Sequence, residues 1–572
     1  MLGAVGASCL ALGVLLASSG AEPSLDLQNG AHERSAAHST SRGTHERSAA
    51  HATSRGAHER SAAHATSHSA PHGAARGVPP SHRHHAGAVL KVLWLSDLHF
   101  NPFYTSLLGP SCKCMSYGPF ACAEERDWAL PWPFDGGACL AQSDGSPWGQ
   151  FGCDAPFSLV ESAIASARAT CPEPAAILVT GDYVAHHSCQ FPVTSPQDEA
   201  VRIVRETSAA LARAFEHADV KHVHHPTQLL SAAVGNDDLV PNYALPNATD
   251  GHLAQPRAAL VALADALTPP LDELQRHSFV RGGGVRYEIG KIVLLALNTV
   301  VYSPHAANPS GSLPADPFGQ FAWLDAQLLD AHARRARVLI VGHIPPCVDQ
   351  YSFQMEWLQP YADTYVTIVA RHADVVSAQL FGHAHQNMLR AFPPVRGTAA
   401  EAGDGPPLHV SAAISPIYHN NPTYRLLSLS PSSGALHDFT VFAAQLHAAS
   451  GSEPPEWAAA YSAHERYAPH DVLTSRGIRH FAVEMMTDDE LFRAYLYDRE
   501  SGAPGWDSTP GTPRFNVGRV GVELRVAARQ PTPAGAYRAQ MACSIAHGFS
   551  QAAFDACVHR GGPSAAADPP AE

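Results

Sequence analysis

At 572 residues the chain exceeds one ordinary domain, and with 45% hydrophobic and 16% charged residues it has the apolar material for a sizeable core. Its formal net charge of −14, from 52 acidic and 38 basic residues, argues against nucleic-acid binding, which needs a basic footprint. The 35 histidines are the compositional anomaly, because their charge rises steeply below about pH 6.5.

Residues 1–21 read as a signal peptide: an apolar stretch from Leu2 to Ala17 is followed by small residues through Ala21. The stretch lacks a basic start, so an uncleaved anchor is the competing reading, although the run is short for a span of about 20 residues. After cleavage no transmembrane span is expected. Residues 22–87 hold a repeat of thirteen residues, HERSAAHSTSRGT, HERSAAHATSRGA and HERSAAHATSHSA. With no aromatic or large aliphatic residue in the repeat to offset ordering entropy, disorder is expected, and its histidines suggest either metal buffering or a solvated linker.

A folded catalytic region is expected over 88–445, a helical region over 446–562 and a flexible tail over 563–572. The first strand is AVLKVLWLSDLHF, a continuous apolar run ending in Asp97 and His99. Three later runs have the same form: AAILVTGDY reaches Asp182, ARVLIVGHIPP reaches His343, and SAQLFGHAH reaches His383 and His385. The run SAAVGNDD ends on Asn236, Asp237 and Asp238, while KIVLLALNT and LHVSAAI supply strands without such ends. Helices are expected at APFSLVESAIASARA, with Asp154 as its N-cap, at QDEAVRIVRETSAALARAFEHA and at QFAWLDAQLLDAHARRA. The alternation points to an α/β core whose strand ends converge on one crevice.

Cysteine usage points to an oxidising compartment. Beyond Cys9 in the leader, ten remain, and Cys112, Cys114, Cys122, Cys139 and Cys153 crowd one loop-rich stretch. These, with Cys171, Cys189, Cys543 and Cys557, are disulfide candidates; zinc ligation is the alternative for the close pairs. The sequon at Asn247 is a glycosylation candidate.

Asp97, His99, Asp182, Asn236, His343, His383 and His385 form a mixed oxygen and nitrogen donor set that suits Zn, Mn or Fe. One carboxylate, Asp182 by position, can bridge two such ions about 4 Å apart, which polarises a phosphoryl group and supplies hydroxide. A single histidine at a strand end or a single GD pair is ordinary; the ordered set carries the weight.

That order, DxH, GD, GN, GH and GHxH, resembles the calcineurin-like metallophosphoesterase superfamily. SDLHFNPFY, WGQFGCDAPFSLVESAI, ILVTGDYVAHH, LLALNTVVYS, DPFGQFAWLDAQL, GHIPP, FGHAHQN and NPTYRLL further resemble its acid sphingomyelinase-like phosphodiesterases and endopolyphosphatases. The resemblance implies two stacked mixed β-sheets flanked by helices, with a small, mainly helical C-terminal domain closed by a Cys543–Cys557 bridge. It implies one ion on Asp97, His99, Asp182 and His385, a second on Asp182, Asn236, His343 and His383, and zinc as the usual metal. A phosphate-containing substrate and a secreted or lysosomal/vacuolar location are also implied.

Two departures bear on the substrate. Acid sphingomyelinases carry a saposin-like lipid-binding module where this sequence has its histidine repeat. The diesterases also place a proton-donating histidine after the metal-binding asparagine, where this chain has Asp237 beside Asp238. A proton donor contributes about 10²- to 10⁴-fold and matters most for poor leaving groups. Polyphosphate or nucleotides are therefore expected ahead of lipid, with Asp237 as donor if Asp238 raises its pKa. A sphingomyelin phosphodiesterase and a metal-binding pseudoenzyme are the alternatives.

Overall fold

A computed structural model describes residues 89–104, 146–186, 188, 191, 193–216, 228–231, 233–244, 258–306, 314–395, 404–418, 420–446, 453–468, 470–502 and 534–564. The leader, the repeat, the sequon at Asn247 and Cys112, Cys114, Cys122, Cys139 and Cys189 lie outside the described residues.

The continuous apolar runs form strands because burial on both faces rewards unbroken Val, Ile and Leu. β1 (Leu90–Leu95) and β2 (Ala176–Val179) pair in parallel, Val92 opposite Ala176, and β2 pairs in parallel with β3 (Gln228–Ser231). Three antiparallel strands complete this six-stranded sheet: β10 (Thr423–Leu429) beside β1, then β11 (Leu436–Ala444) and β12 (Trp457–Ser462).

The second sheet is also six-stranded, in the order β4 (Val285–Ile289), β5 (Ile292–Ala296), β6 (Arg337–Val341), β7 (Val376–Phe381), β9 (Leu408–Val410) and β8 (Met388–Arg390). Its four central strands run parallel and its two edge strands antiparallel.

The sheets share one apolar core, in which Val92, Leu93, Trp94 and Leu95 are at most 1% exposed. Burying such side chains contributes about 1.5–3 kcal/mol each. The buried Arg425 ties the sheets together. From β10 it donates to Asn387 Oδ1 and to the Val410 carbonyl in the other sheet, while its guanidinium lies over Trp94 and Phe439.

Helices α1 (Phe157–Thr170) and α2 (Pro196–Phe215) flank the first sheet. After α3 (Ala258–Ala266) and α4 (Glu273–Gly282), helix α5 (Gln320–Ala333) packs on the second sheet and α6 (Gln359–Arg371) on α5. Ser195 caps α2 by accepting from the Asp198 amide. The expected cap of α1 does not form. Pro156 occupies that position without a side-chain bond, and Asp154 turns instead toward His186 and Ser415.

The C-terminal segment adds β12 and then helices: α7 (Ala463–Arg466), α8 (Ser475–Glu484), α9 (Asp489–Arg499), α10 (Ala534–His547) and α11 (Gln551–His559). As expected, Cys543 and Cys557 are bonded, joining α10 to α11. Cys153 is also disulfide-bonded. Cys171, expected to pair, is a buried free thiol; it ends α1, where its amide bonds to the Ala167 carbonyl. Among the described residues no helix is long and apolar enough to cross a membrane.

Candidate metal centre

Five strands deliver the donor residues at their C-terminal ends. β1 leads to Asp97 and His99, β2 to Asp182 and β3 to Asn236; β6 of the other sheet leads to His343, and β7 to His383 and His385. The strands within each group are parallel neighbours, so all seven expected ligands meet where the ends of the two sheets adjoin.

The local backbone is bent to present them. Asp97, His99, Asp182, His383 and His385 all have positive φ, between 43° and 72°. The left-handed region costs a non-glycine residue about 1–2 kcal/mol, and strain of this kind clusters at functional sites. The glycines that precede donors allow close approach: a Cβ at Gly235 would overlap the Asp182 carboxylate and amide, and one at Gly382 would strike Ser96 and the Asp97 carboxylate.

Asp97, His99 and Asp182 bring donor atoms within 4.8 Å of one another, as do Asp182, His343 and His383. Asp182 belongs to both groups, as a bridging carboxylate would. Its Oδ2 lies 3.0 Å from His343 Nε2 and 3.4 Å from His99 Nε2. Asn236 Oδ1 is 3.0 Å from His343 Nε2, and His385 Nε2 is 3.0 Å from His99 Nε2 and 3.6 Å from Asp97 Oδ1.

The ring tautomers fit metal ligation. His99 Nδ1 lies 2.8 Å from the Val184 carbonyl and His343 Nδ1 2.8 Å from that of Thr180, so each Nδ1–H donates outward and each Nε2 lone pair faces the cluster. Two opposed Nε2 atoms at 3.0 Å, among buried carboxylates, form an arrangement that a divalent cation relieves. The donor set suits two such ions.

Electrostatics divide the four imidazoles: burial works against the charge of His343, but Asp182 prevails and holds it at about 10, whereas the other three are held low. Burial, then the charges of His186 and His385, hold His99 far below the usual histidine range; burial and His343 bring His383 down to about 3. His385 is likewise depressed, by burial and then His186. Burial pushes the Asp97 carboxyl up to about 7 against the pull of His343.

The two adjacent aspartates have separate roles. The Asp237 amide donates to Asp182 Oδ1 and its Oδ2 accepts from Asn236 Nδ2, which also donates to Asn242 Oδ1; the Asn236 oxygen is thereby turned to the cluster. Asp238 accepts from the amides of Gly235, Asp182, Tyr183 and Val184. It is a backbone clamp between the β2 and β3 loops, and burial, then the charge of Asp182, pushes its carboxyl up to about 6.

Sequence reasoning passed over His186, four residues beyond Asp182. Its Nδ1 is 3.0 Å from Asp154 Oδ1 and its amide donates to Asp154 Oδ2. Its Nε2 lies 3.3 Å from the Tyr418 hydroxyl and 3.8 Å from Asp237 Oδ2. The ring stacks on His99 at 4.0 Å and 18°, and with His99 and His385 it makes a third group whose donor atoms lie within 4.8 Å of one another. Burial works against its charge, but Asp154 and then Asp237 prevail and hold it at about 10. The usable signal in the sequence was a histidine close behind the GD pair expected to supply a metal ligand.

No protein-family model matches the chain. Among curated proteins it is similar to sphingomyelinase phosphodiesterase D of Dictyostelium discoideum, 25% identical over 370 residues, covering 64% of this chain and 78% of that one. It is also similar to human acid sphingomyelinase-like phosphodiesterase 3b, 26% identical over 429 residues, covering 72% and 83%. Cyclic GMP-AMP phosphodiesterase SMPDL3A of Rattus norvegicus is 23% identical over 443 residues, covering 75% and 89%. These relatives bear out the resemblance read from the motifs.

Proposed function

We propose that this metal-dependent phosphoester hydrolase, similar to the acid sphingomyelinase-like phosphodiesterases, cleaves phosphodiester or phosphoanhydride bonds of water-soluble nucleotide-type substrates, with His186 as proton donor. Asp97, His99, Asp182 and His385 hold one divalent ion and Asp182, Asn236, His343 and His383 the other, zinc being the metal that the family resemblance suggests. When bound, the ions supply Lewis-acid polarisation of the phosphoryl group and a hydroxide nucleophile.

The observation that carries the reading is the seat of His186. Asp154 accepts its Nδ1–H and so fixes the ring, leaving Nε2–H beside the cluster to protonate a departing oxygen. Asp237 is close enough to hold the imidazolium and orient it. The expected penalty on poor leaving groups, argued from the missing histidine at 237, loses its premise once a histidine stands 3.8 Å away on the neighbouring loop. Alkoxide-leaving phosphodiesters are thus within reach, alongside nucleotide or polyphosphate anhydrides.

Tyr418 supports a nucleotide. It is an aromatic ring, 40% exposed, that meets His385 edge-on at 4.7 Å and His186 at 5.5 Å, and bases stack on aromatic side chains. The Cys543–Cys557 bridge supports a secreted or lysosomal setting. The test is a substrate panel across pH on zinc-loaded protein: a cyclic dinucleotide, a nucleoside triphosphate, polyphosphate, a nitrophenyl diester and sphingomyelin liposomes. Turnover of nucleotide substrates is expected; turnover of sphingomyelin alone would overturn the proposal.

A further inference from the structure

The four imidazoles of the cluster are not held alike. His99 and His343 direct Nδ1 outward to backbone carbonyls and Nε2 inward, and His385 also brings Nε2 to the cluster. His383 is turned the other way. Its Nδ1 faces His343 Nε2 at 3.3 Å and its Nε2 points away from the cluster. A histidine that ligates through Nδ1 carries its proton on Nε2, and that proton needs an outer acceptor.

The group in that direction is Glu356, whose Oε1 lies 4.0 Å from His383 Nε2. Its side chain is 11% exposed, and among the described residues its other oxygen, Oε2, has no hydrogen-bond partner. A carboxyl in that state is costly and calls for a reason. The charge of the buried Arg390 offsets the burial of Glu356 only in part: two of its guanidinium nitrogens donate to the Leu389 and Val348 carbonyls, and the carboxyl stays well above its usual range. The main chain fixes the carboxyl's origin: the Glu356 amide donates to the Cys347 carbonyl, and the next residue, Trp357, donates its ring N–H to Ile344.

We propose that Glu356 is a positioning residue for His383, its carboxylate accepting the Nε2 proton, directly or through one water, so that Nδ1 is presented to the second metal ion. The proposal rests on the two-ion reading of the cluster. The 4.0 Å gap is longer than a hydrogen bond, and loading of the site draws the imidazole and carboxylate together.

The test uses the full chain with zinc as the probe. Metal content is measured after dialysis, and affinity by chelator competition, for wild type, Glu356→Leu and Glu356→Gln, together with the melting temperature of each metal-free protein. Glu356→Leu removes the acceptor and is expected to weaken one of two zinc ions about 10- to 100-fold. Glu356→Gln keeps an oxygen acceptor and is expected to restore part of that loss. Both metal-free variants are expected to melt no lower than wild type, since an unpartnered buried carboxyl has been removed.

Two zinc ions bound to Glu356→Leu with wild-type affinity would overturn the proposal. So would weaker binding matched by a lower metal-free melting temperature in both variants, which is the mark of a structural role. Fewer than two ions in wild type would overturn the two-ion reading itself, and this proposal with it.

Discussion

Replacing His186 by asparagine separates the proton-donor role from the fold around it. The asparagine amide can reproduce the Nδ1–H that lies 3.0 Å from Asp154, but it has nothing at the position of Nε2. Loss of a general acid costs about 10²- to 10⁴-fold, which is about 3–5 kcal/mol of transition-state stabilisation. That cost falls on substrates whose leaving oxygen must be protonated as it departs. For His186→Asn, kcat/KM on a nucleotide phosphodiester is expected to drop by that factor, whereas a nitrophenyl diester, whose phenolate leaves unaided, is expected to lose less than about tenfold.

The neighbouring carboxylate gives a second handle. Asp154 is the largest of the influences raising His186 to about 10, so Asp154→Asn lowers that pKa. A general acid works only while protonated, so the alkaline limb of the rate profile is expected to move to lower pH. The sign for stability follows from the same shift. A histidine raised above its unfolded value stabilises the fold fully below about pH 6.5 and loses that contribution as pH rises through about 10. The stability deficit of Asp154→Asn is therefore expected at neutral pH and below, shrinking above it. Rates and melting temperatures across pH 5–10 provide the measurements. Equal losses on both diesters in His186→Asn would refute the donor assignment and return the role to Asp237.

Three further outcomes are expected. Tyr418→Ala removes a stacking face worth about 1–3 kcal/mol per base, so KM for a nucleotide should rise about tenfold while KM for polyphosphate holds; equal shifts would dismiss base stacking. Zinc affinity should fall steeply between pH 7 and pH 5, with protons released on binding in calorimetry, because Asp97 stands at about 7 and must ionise to ligate; a flat profile would show its carboxyl already ionised in the metal-free protein. Cys543→Ser is expected to cost about 2–5 kcal/mol, and the deficit should vanish against wild type under reductant. Activity should fall with it, since the carbonyls of Ile545 and Gly548, beside that bridge, hold the amides of Ala391 and Val348.

The strands that carry donors were legible because their chemistry is local: an unbroken apolar run buried on both faces, ending in Asp or His, identifies β1, β2, β6 and β7 in isolation. β10, β11 and β12 gave no such signal. Their half-buried, mixed faces, seen in LHDFTVFAA and WAAAYS, acquire meaning only beside β1. The C-terminal helices were expected as a cap, yet their contribution to the site is tertiary. The Asn387 amide donates to the Arg499 carbonyl and Gln386 Nε2 to Glu500, which steadies the loop carrying His383 and His385 from more than a hundred residues away.

The same distinction bears on the misplaced cap at Asp154 and on the proposed transfer of the donor role from Asp237 to His186. Asp154 precedes a helix by the spacing of a cap, and local rules assign it one. The chain enters α1 through Pro156 instead, which frees the carboxylate to reach across to the β2 loop. Asp237 follows an asparagine expected to bind metal and reads as a substituted acid, because a linear reading ties the donor to its neighbour in sequence. Proton transfer requires only a position near the leaving oxygen, and the β1, β2 and β3 loops adjoin at the cluster. His186 enters from the β2 loop, Asp154 secures it from the segment ahead of α1, and Asp237 faces it from the β3 loop. The aspartate after the asparagine therefore does not mark a damaged site: it fixes the Asn236 amide on one side and faces the imidazolium on the other, a pairing that a histidine at 237 would oppose by charge.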